Sequence, residues 1–113
     1  MAEGYLLSEN TTVSLPTQVY ITTDHQYGKQ LEAFRNRNVI LVDFAFNSDV
    51  DLSSNAQLCK ITLPKNLVKS LHLSCITNYG EGIRIVMATD GTISLESNLT
   101  NHHWVSGTFV GLI

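Results

Sequence analysis

The sequence predicts an all-β chain, an antiparallel β-sandwich of jelly-roll type with about eight strands. Apolar residues recur with period two in short bursts rich in β-branched and aromatic side chains. No window of a dozen residues sustains the 3.6-residue apolar stripe of an amphipathic helix. Clusters of Asn, Asp, Gly, Ser and Pro separate the bursts, as turns require.

In chain order the expected strands are residues 18–23, 30–35, 38–46, 57–63, 70–77, 83–88, 92–96 and 103–110. Turn chemistry marks 24–28, 36–38, 47–55, 64–66, 78–82 and 98–101. Residues 1–16 lack clear periodicity and end in Leu15-Pro16, so they read as an N-terminal arm or linker ahead of a domain at 17–113. The arm's Tyr5, Leu6, Leu7, Val13 and Leu15 make it apolar enough to pack on something, a neighbouring subunit included.

The strand over 38–46 is apolar at nearly every position except Asp43. Coverage of both faces, in a central strand or at a subunit interface, accounts for that pattern. A carboxylate in such a run reaches a turn or strand edge or, if buried, needs a partner such as Arg84 or Arg35.

The hairpin of residues 83–96 carries the sharpest geometric expectation. A two-residue Asp90-Gly91 turn would set Ala88 opposite Ile93 and Ile85 opposite Glu96, mixing apolar and polar positions on each face. A three-residue loop of Thr89, Asp90 and Gly91, with Gly91 at positive φ, sets Met87 opposite Ile93 and Ile85 opposite Leu95. One face is then apolar.

At 113 residues, one domain burying roughly two-thirds of its unfolded surface is expected. Hydrophobic residues are 43% and charged ones 15%, a sparse surface charge for a free monomer that favours self-association. A net charge of −3, with seven Lys and Arg scattered along the chain, argues against a nucleic-acid partner. The longest aliphatic run, Val39 to Val42, is far short of the roughly 20 residues of a membrane span, so no membrane insertion is expected. The N-terminus does not read as a secretory signal. Folding in a reducing cytosol follows, with Cys59 and Cys75 as free thiols. Alternation places Cys59 with Ile61 and Leu63, and Cys75 with Leu71 and Leu73, both pointing inward.

The ordered pieces Asn38 to Phe46, Ile61-Thr62-Leu63-Pro64, Ile83 to Met87, Asp90-Gly91-Thr92-Ile93, Trp104 and Ser106-Gly107-Thr108-Phe109 form a recognisable series. It resembles the C-terminal head domains of phage tail-fibre and baseplate receptor-binding proteins over about residues 29–110. That resemblance implies a sandwich assembled as a homotrimer on the virion, at the tail tip or baseplate, folded in the host cytoplasm. It also implies recognition of host cell-wall saccharide without catalysis, alongside other phage baseplate or tail proteins. The family often continues its Leu-Pro turn as LP-x-G-x-R-P, whereas here Lys65-Asn66-Leu67-Val68 follows Pro64. The neck and shoulder regions of many such proteins are absent, consistent with an excised head or a small accessory protein.

Catalytic readings find little support. There is no Gly-x-Ser-x-Gly elbow, and both cysteines read as core. Glycoside hydrolysis needs two carboxylates about 5–10 Å apart across a cleft. Asp49 with Asp51, or Asp24 with Glu81, are the pairs available, and loop solvation explains Asp49 and Asp51 more simply. His102 and His103 are adjacent, so on a strand they face opposite ways and cannot chelate one ion together. Asp49 and Asp51 with Asn47 and Asn55 offer oxygen ligands without the spacing of a calcium loop. No cofactor is implied. The sequons at Asn10 and Asn98 are read as chance.

Saccharide binding asks for an aromatic face and polar groups for hydroxyls, carried on loops. The candidates are Asp24, His25 and Tyr27 in one loop, Tyr79 and Glu81 in a second, and Asn101, His102 and Trp104 around a third. Trp104 also reads as a core or inter-subunit anchor, and Tyr79 as a turn residue packed over a sheet edge. His72, opposite in face to Leu71 and Leu73, points to solvent or a trimer contact. The expected function is host adhesion through a saccharide-binding head. The alternatives are a structural baseplate component that binds another phage protein and a polysaccharide-degrading domain.

Overall fold

Extended backbone dominates a computed structural model that describes residues 11–19, 29–48 and 50–113. Its strands are β1 (Val13–Ser14), β2 (Thr17–Val19), β3 (Lys29–Asn36), β4 (Val39–Asn47), β5 (Gln57–Ile61), β6 (Leu71–Ile76), β7 (Gly82–Met87), β8 (Thr92–Leu95) and β9 (Trp104–Leu112). They form a four-stranded sheet ordered β1-β3-β4-β9 and a five-stranded sheet ordered β2-β5-β8-β7-β6. Every pairing is antiparallel, and no helix occurs among the described residues. The expected sandwich is present.

Eight expected strands correspond to β2 through β9, with residues 20–23 of the first lying outside the described residues, and β1 is the addition. Val13 and Ser14 pair with Arg35 and Phe34 of β3, and Leu15 N–H donates to Ala33 C=O at 2.8 Å. The end of the arm therefore lies on its own domain, where Leu15 packs against the core.

The core is the space between the two sheets. From β4, alternation sends Ile40, Val42, Phe44 and Phe46 inward. Phe44 stacks on Phe46 and on Phe109, with ring centroids 5.7 Å and 5.5 Å apart. Ile83, Ile85 and Met87 of β7 and Ile93 and Leu95 of β8 face them and are buried. Gly107 on β9 makes room for close approach. A Cβ there would lie 2.6 Å from Leu73 Cδ2 and 3.2 Å from Cys75 Sγ, so β6 seats its side chains against bare backbone.

The β7–β8 hairpin has the expected register, with Met87 opposite Ile93 and Ile85 opposite Leu95. Ala88 N–H donates to Thr92 C=O at 2.8 Å, closing the three-residue loop, and Gly91 has φ of 93°. Asp90 Oδ1 accepts the Thr92 N–H at 3.0 Å. That backbone bond first, and the Thr92 hydroxyl second, hold the Asp90 carboxyl below its usual range, with Lys60 adding to the effect. A depressed folded-state value means the ionised form stabilises the fold. This contribution is present above the unfolded value near pH 4 and is lost as pH falls through the folded value. Asp90→Ala should therefore melt slightly below wild type at pH 7, with the gap closing below about pH 4. A gap that does not change with pH would contradict this reading of the turn.

Both thiols are free and buried, as alternation implies. Desolvation pushes Cys59 up to about 12 and raises Cys75 as well, so neither is an ionised nucleophile at neutral pH. β5 carries a register shift between Gln57 and Cys59. A bulge of this kind puts two neighbours on one side, which is why Leu58 and Cys59 are both fully buried.

β4 lies between β3 and β9 but is covered on one face only. Its outer residues Val39 and Leu41 are 41% and 37% exposed, and their β9 partners Leu112 and Val110 are 55% and 59% exposed. Asp43 belongs to this outer face and accepts a hydrogen bond from the Thr108 hydroxyl. Asp43 is only half-buried, so the arginine partner that a buried carboxylate would need does not arise. His72 is exposed on the outer face of the other sheet, with Nδ1 2.8 Å from Glu96 Oε1.

Candidate functional site

Three connections gather at one end of the sandwich: residues 48–56 between β4 and β5, 77–81 between β6 and β7, and 96–103 between β8 and β9. Each is held by backbone groups and short polar side chains, the usual means of ordering a loop without helix or sheet.

In the β6–β7 turn, the Thr77 hydroxyl accepts the N–H of Tyr79 at 3.3 Å and of Glu81 at 3.2 Å. Gly80 N–H donates to Thr77 C=O at 2.9 Å. Between the other two loops, Leu52 and Leu99 exchange backbone bonds of 2.8 Å. The fully buried Leu99 side chain belongs to the main hydrophobic cluster. Ser54 N–H donates to Asn98 Oδ1 at 2.9 Å, and Asn101 N–H to Asp51 Oδ1 at 2.8 Å. His102, with φ of 63°, donates its N–H to Ser48 C=O at 2.7 Å.

Asn78 joins the two sheets. Its side-chain Oδ1 accepts the Trp104 N–H at 2.7 Å, and its own N–H donates to Trp104 C=O at 3.2 Å. This pair of hydrogen bonds between a turn of one sheet and the first residue of β9 in the other brings Tyr79 onto His103. Their ring centroids are 4.2 Å apart and their planes 29° from parallel. Glu81 Oε1 lies 2.6 Å from His103 Nδ1. The two atoms are within ion-pair distance, but their alignment does not meet hydrogen-bond geometry, and Nδ1 has no hydrogen-bond partner.

The stack is asymmetric. The His103 side chain is 14% exposed, whereas Tyr79 is 65% exposed. One face of the Tyr79 ring lies on the imidazole, which leaves the other side of the residue to solvent. Trp104, 39% exposed, begins β9 opposite Asn47, the last residue of β4. Asn47 is 4% exposed, yet its Oδ1 has no hydrogen-bond partner, an uncommon state for a buried carbonyl. A groove of about 290 Å³ on the same end is lined by Asp51, Leu52, Ser53, Asn98, Leu99 and Thr100.

Of the residues expected from sequence, the fold groups Tyr79, Glu81 and Trp104. Asn101 and His102 are exposed in the adjoining loop and are anchored through their backbones. Asp24, His25 and Tyr27 lie outside the described residues, as does Asp49. His103, Asn78 and Asn47 are additions. His103 falls within the expected strand over 103–110, whereas β9 begins at Trp104, so a search of the loops passes it by. An Asn opening a Tyr-Gly turn was the available signal for Asn78, and no sequence signal marks Asn47. Among the described residues, no three His, Cys, Asp or Glu side chains converge in a way that holds a metal ion.

A larger groove, about 540 Å³, runs along the sandwich edge between Lys69–Leu73 and Thr108–Val110. Of its two rings, Phe109 is buried and the His72 imidazole is engaged by Glu96. No protein-family model matches the chain, and no curated protein matches it.

Proposed function

We propose that this protein is a saccharide-binding adhesion head of the phage receptor-binding type, acting by recognition and without catalysis. The observation that carries the proposal is the half-open Tyr79–His103 stack, with Glu81 beside it and Trp104 at its base. An aromatic ring with one free side receives the apolar face of a sugar, and adjacent carboxylate and amide oxygens accept its hydroxyl protons. Rigidity matters equally. Because Thr77, Asn78 and Gly80 fix the turn through backbone bonds, the ring is ordered before the ligand arrives and little entropy is lost on binding.

The test is binding of the labelled protein to host cell wall and to a glycan array. Tyr79→Ala should weaken binding about five- to thirtyfold, the loss of an aromatic contact worth about 1–2 kcal/mol. Its melting temperature should stay near that of wild type, since Tyr79 is mostly exposed. Failure of the wild-type protein to bind any host wall or glycan would sink the proposal and favour a structural role in the tail.

Assembly as a homotrimer is part of the same proposal. The outer strip of Val39, Leu41, Val110 and Leu112 supports it, because a contiguous apolar patch of this kind marks an interaction surface. Combining Leu41→Lys with Val110→Glu, an opposite-charge cross-strand pair, should convert a trimer to a monomer in light scattering and lower the melting temperature only by the share the trimer contact supplies. A wild-type monomer, or a variant that still forms trimers, would contradict this use of the strip.

A further inference from the structure

We infer that the free edge of β9 receives an extended segment of a partner polypeptide as a further strand of the four-stranded sheet. The segment carries aliphatic side chains toward the core side and a Lys or Arg on the outer side. This surface is distinct from the loop end and does not depend on saccharide binding.

The first observation is an unguarded edge. On one side of the sandwich the sheets end in β1 and β2, two and three residues long. On the other they end in β9 and β6, nine and six residues long. Neither of these contains Lys, Arg, Asp, Glu or Pro, and neither shows a register shift against its neighbour. Short edges, charges, Pro and bulges are the devices that stop a sheet from pairing further, and this side has none of them.

The second observation is what the edge offers. Trp104 N–H and C=O are bonded to Asn78, and Leu112 C=O accepts the Val68 N–H. Both ends of β9 therefore turn their even-numbered backbone groups away from β4, and alternation does the same for Ser106, Thr108 and Val110. Among the described residues, no strand pairs with β9 on that side. Donors and acceptors repeating about every 7 Å are matched by an extended main chain.

A groove of about 540 Å³ runs beside this edge, walled by Leu71 and Leu73 of β6 and by Thr108 to Val110. An added strand would turn alternate side chains into it. The β9 of a second copy is a poor fit, because its core-side positions are Gly107 and Gly111, which have no side chain, and Val105 and Phe109, buried in their own core. Aliphatic residues of a foreign segment would fill the space. Charge selects the outer side. Glu32, Asp43 and Thr108 form one cross-strand row on the outer face, and among the described residues neither carboxylate has a cationic partner. Lys29 and Arg35 of β3 are in register with Phe46 and Ile40, which β4 buries, and Lys69 lines the groove rather than this row. A residue opposite Thr108 on the added strand would stand about 10 Å from Asp43, a gap that a Lys or Arg side chain spans.

The experiment titrates the full chain with synthetic ten-residue peptides of alternating Val and Thr in which one central Thr is replaced by Lys. Beside them run the same peptide with Glu in place of Lys and the Lys peptide N-methylated on alternate amides. The Lys peptide should bind saturably and protect the Ser106, Thr108 and Val110 amides from hydrogen exchange, with both control peptides about tenfold or more weaker. Ser106→Pro removes one outward donor and leaves the β4 ladder intact, so it should weaken binding about tenfold. Asp43→Asn should narrow the preference for Lys over Glu to a few-fold. If no peptide protects those amides, or if N-methylation, which tests the edge without altering the protein, has no effect, the inference is overturned. If the chain dimerises and Ser106→Pro dissociates it, the occupant is a second copy and the partner segment is ruled out.

Discussion

Gly91→Ala should cost the domain about 2–4 kcal/mol, read as a fall in melting temperature on the order of 10–20 °C. Two effects add at this position. The residue sits at φ of 93°, where a β-carbon is strained. The new Cβ would also lie 2.2 Å from the carbonyl oxygen of Ile61. That oxygen belongs to backbone at the end of β5, so it cannot swing aside as a long side chain would. The Ile61 N–H also donates to Gly91 C=O at 3.0 Å, so displacing the hairpin loop disturbs the β5–β8 pairing. Gly80→Ala is the natural control. It shares a positive φ, 79°, but nothing lies within 4 Å of its Cβ position. Its cost should be near 1 kcal/mol. Equal losses at the two glycines would show that backbone conformation alone matters and that the contact with Ile61 does not.

Phe46→Ala should be more damaging still, at about 3–5 kcal/mol. Phe46 is fully buried and stacks on Phe44 at 5.7 Å. It pairs with Val105 on β9, one residue from Trp104, so the cavity left behind would sit directly beneath the loop end. Total stabilities of about 5–15 kcal/mol are usual for a domain, so a loss of this size removes a large share of the whole. Urea denaturation should show a lower midpoint with an unchanged slope. Phe46→Leu should recover more than half of the loss by refilling the space. A loss below 1 kcal/mol for the alanine variant would mean that the two sheets are not packed together at this level.

Local features of the fold were readable in the sequence where turn chemistry and alternation acted together. The β7–β8 hairpin is the clearest case. Only a three-residue loop keeps Met87, Ile85, Ile93 and Leu95 on one face, and Gly91 is the residue that permits it. The thiols follow from the same alternation. Features that depend on distant partners were not legible. β1 is only two residues long, too short to show a period, and exists because Arg35 and Phe34 offer an unpaired edge. The β5 bulge is invisible in the sequence because it is expressed in the register against Ser94 and Ile93. Uniform apolarity in β4 fits coverage of both faces, in a central strand or at a subunit interface, and its outer residues Val39 and Leu41 are exposed in the single chain.

The site divides in the same way. Tyr79, Glu81 and Trp104 were legible because loops with aromatic and polar residues are where ligands meet a rigid scaffold. Their grouping was not, since Tyr79 and Trp104 come from different sheets. It depends on Asn78, whose side chain and N–H both reach Trp104. His103 was missed through a one-residue error in the start of β9. The expected strand over 103–110 takes in His103, and the candidates were sought in loops, so it was passed over.

The central claim is that ligand binds at the end where Tyr79, Glu81, His103 and Trp104 meet. The most direct test is a titration of isotope-labelled protein with a saccharide that binds it, followed by amide and aromatic chemical shifts. Tyr79, Glu81, His103 and the Trp104 indole should move together along one saturable curve. The turn at Arg37 and Asn38 and the loop at Asp90, at the far end of the sandwich, should stay still. Shifts confined to that far end, or to the Lys69–Leu73 groove, would contradict the account.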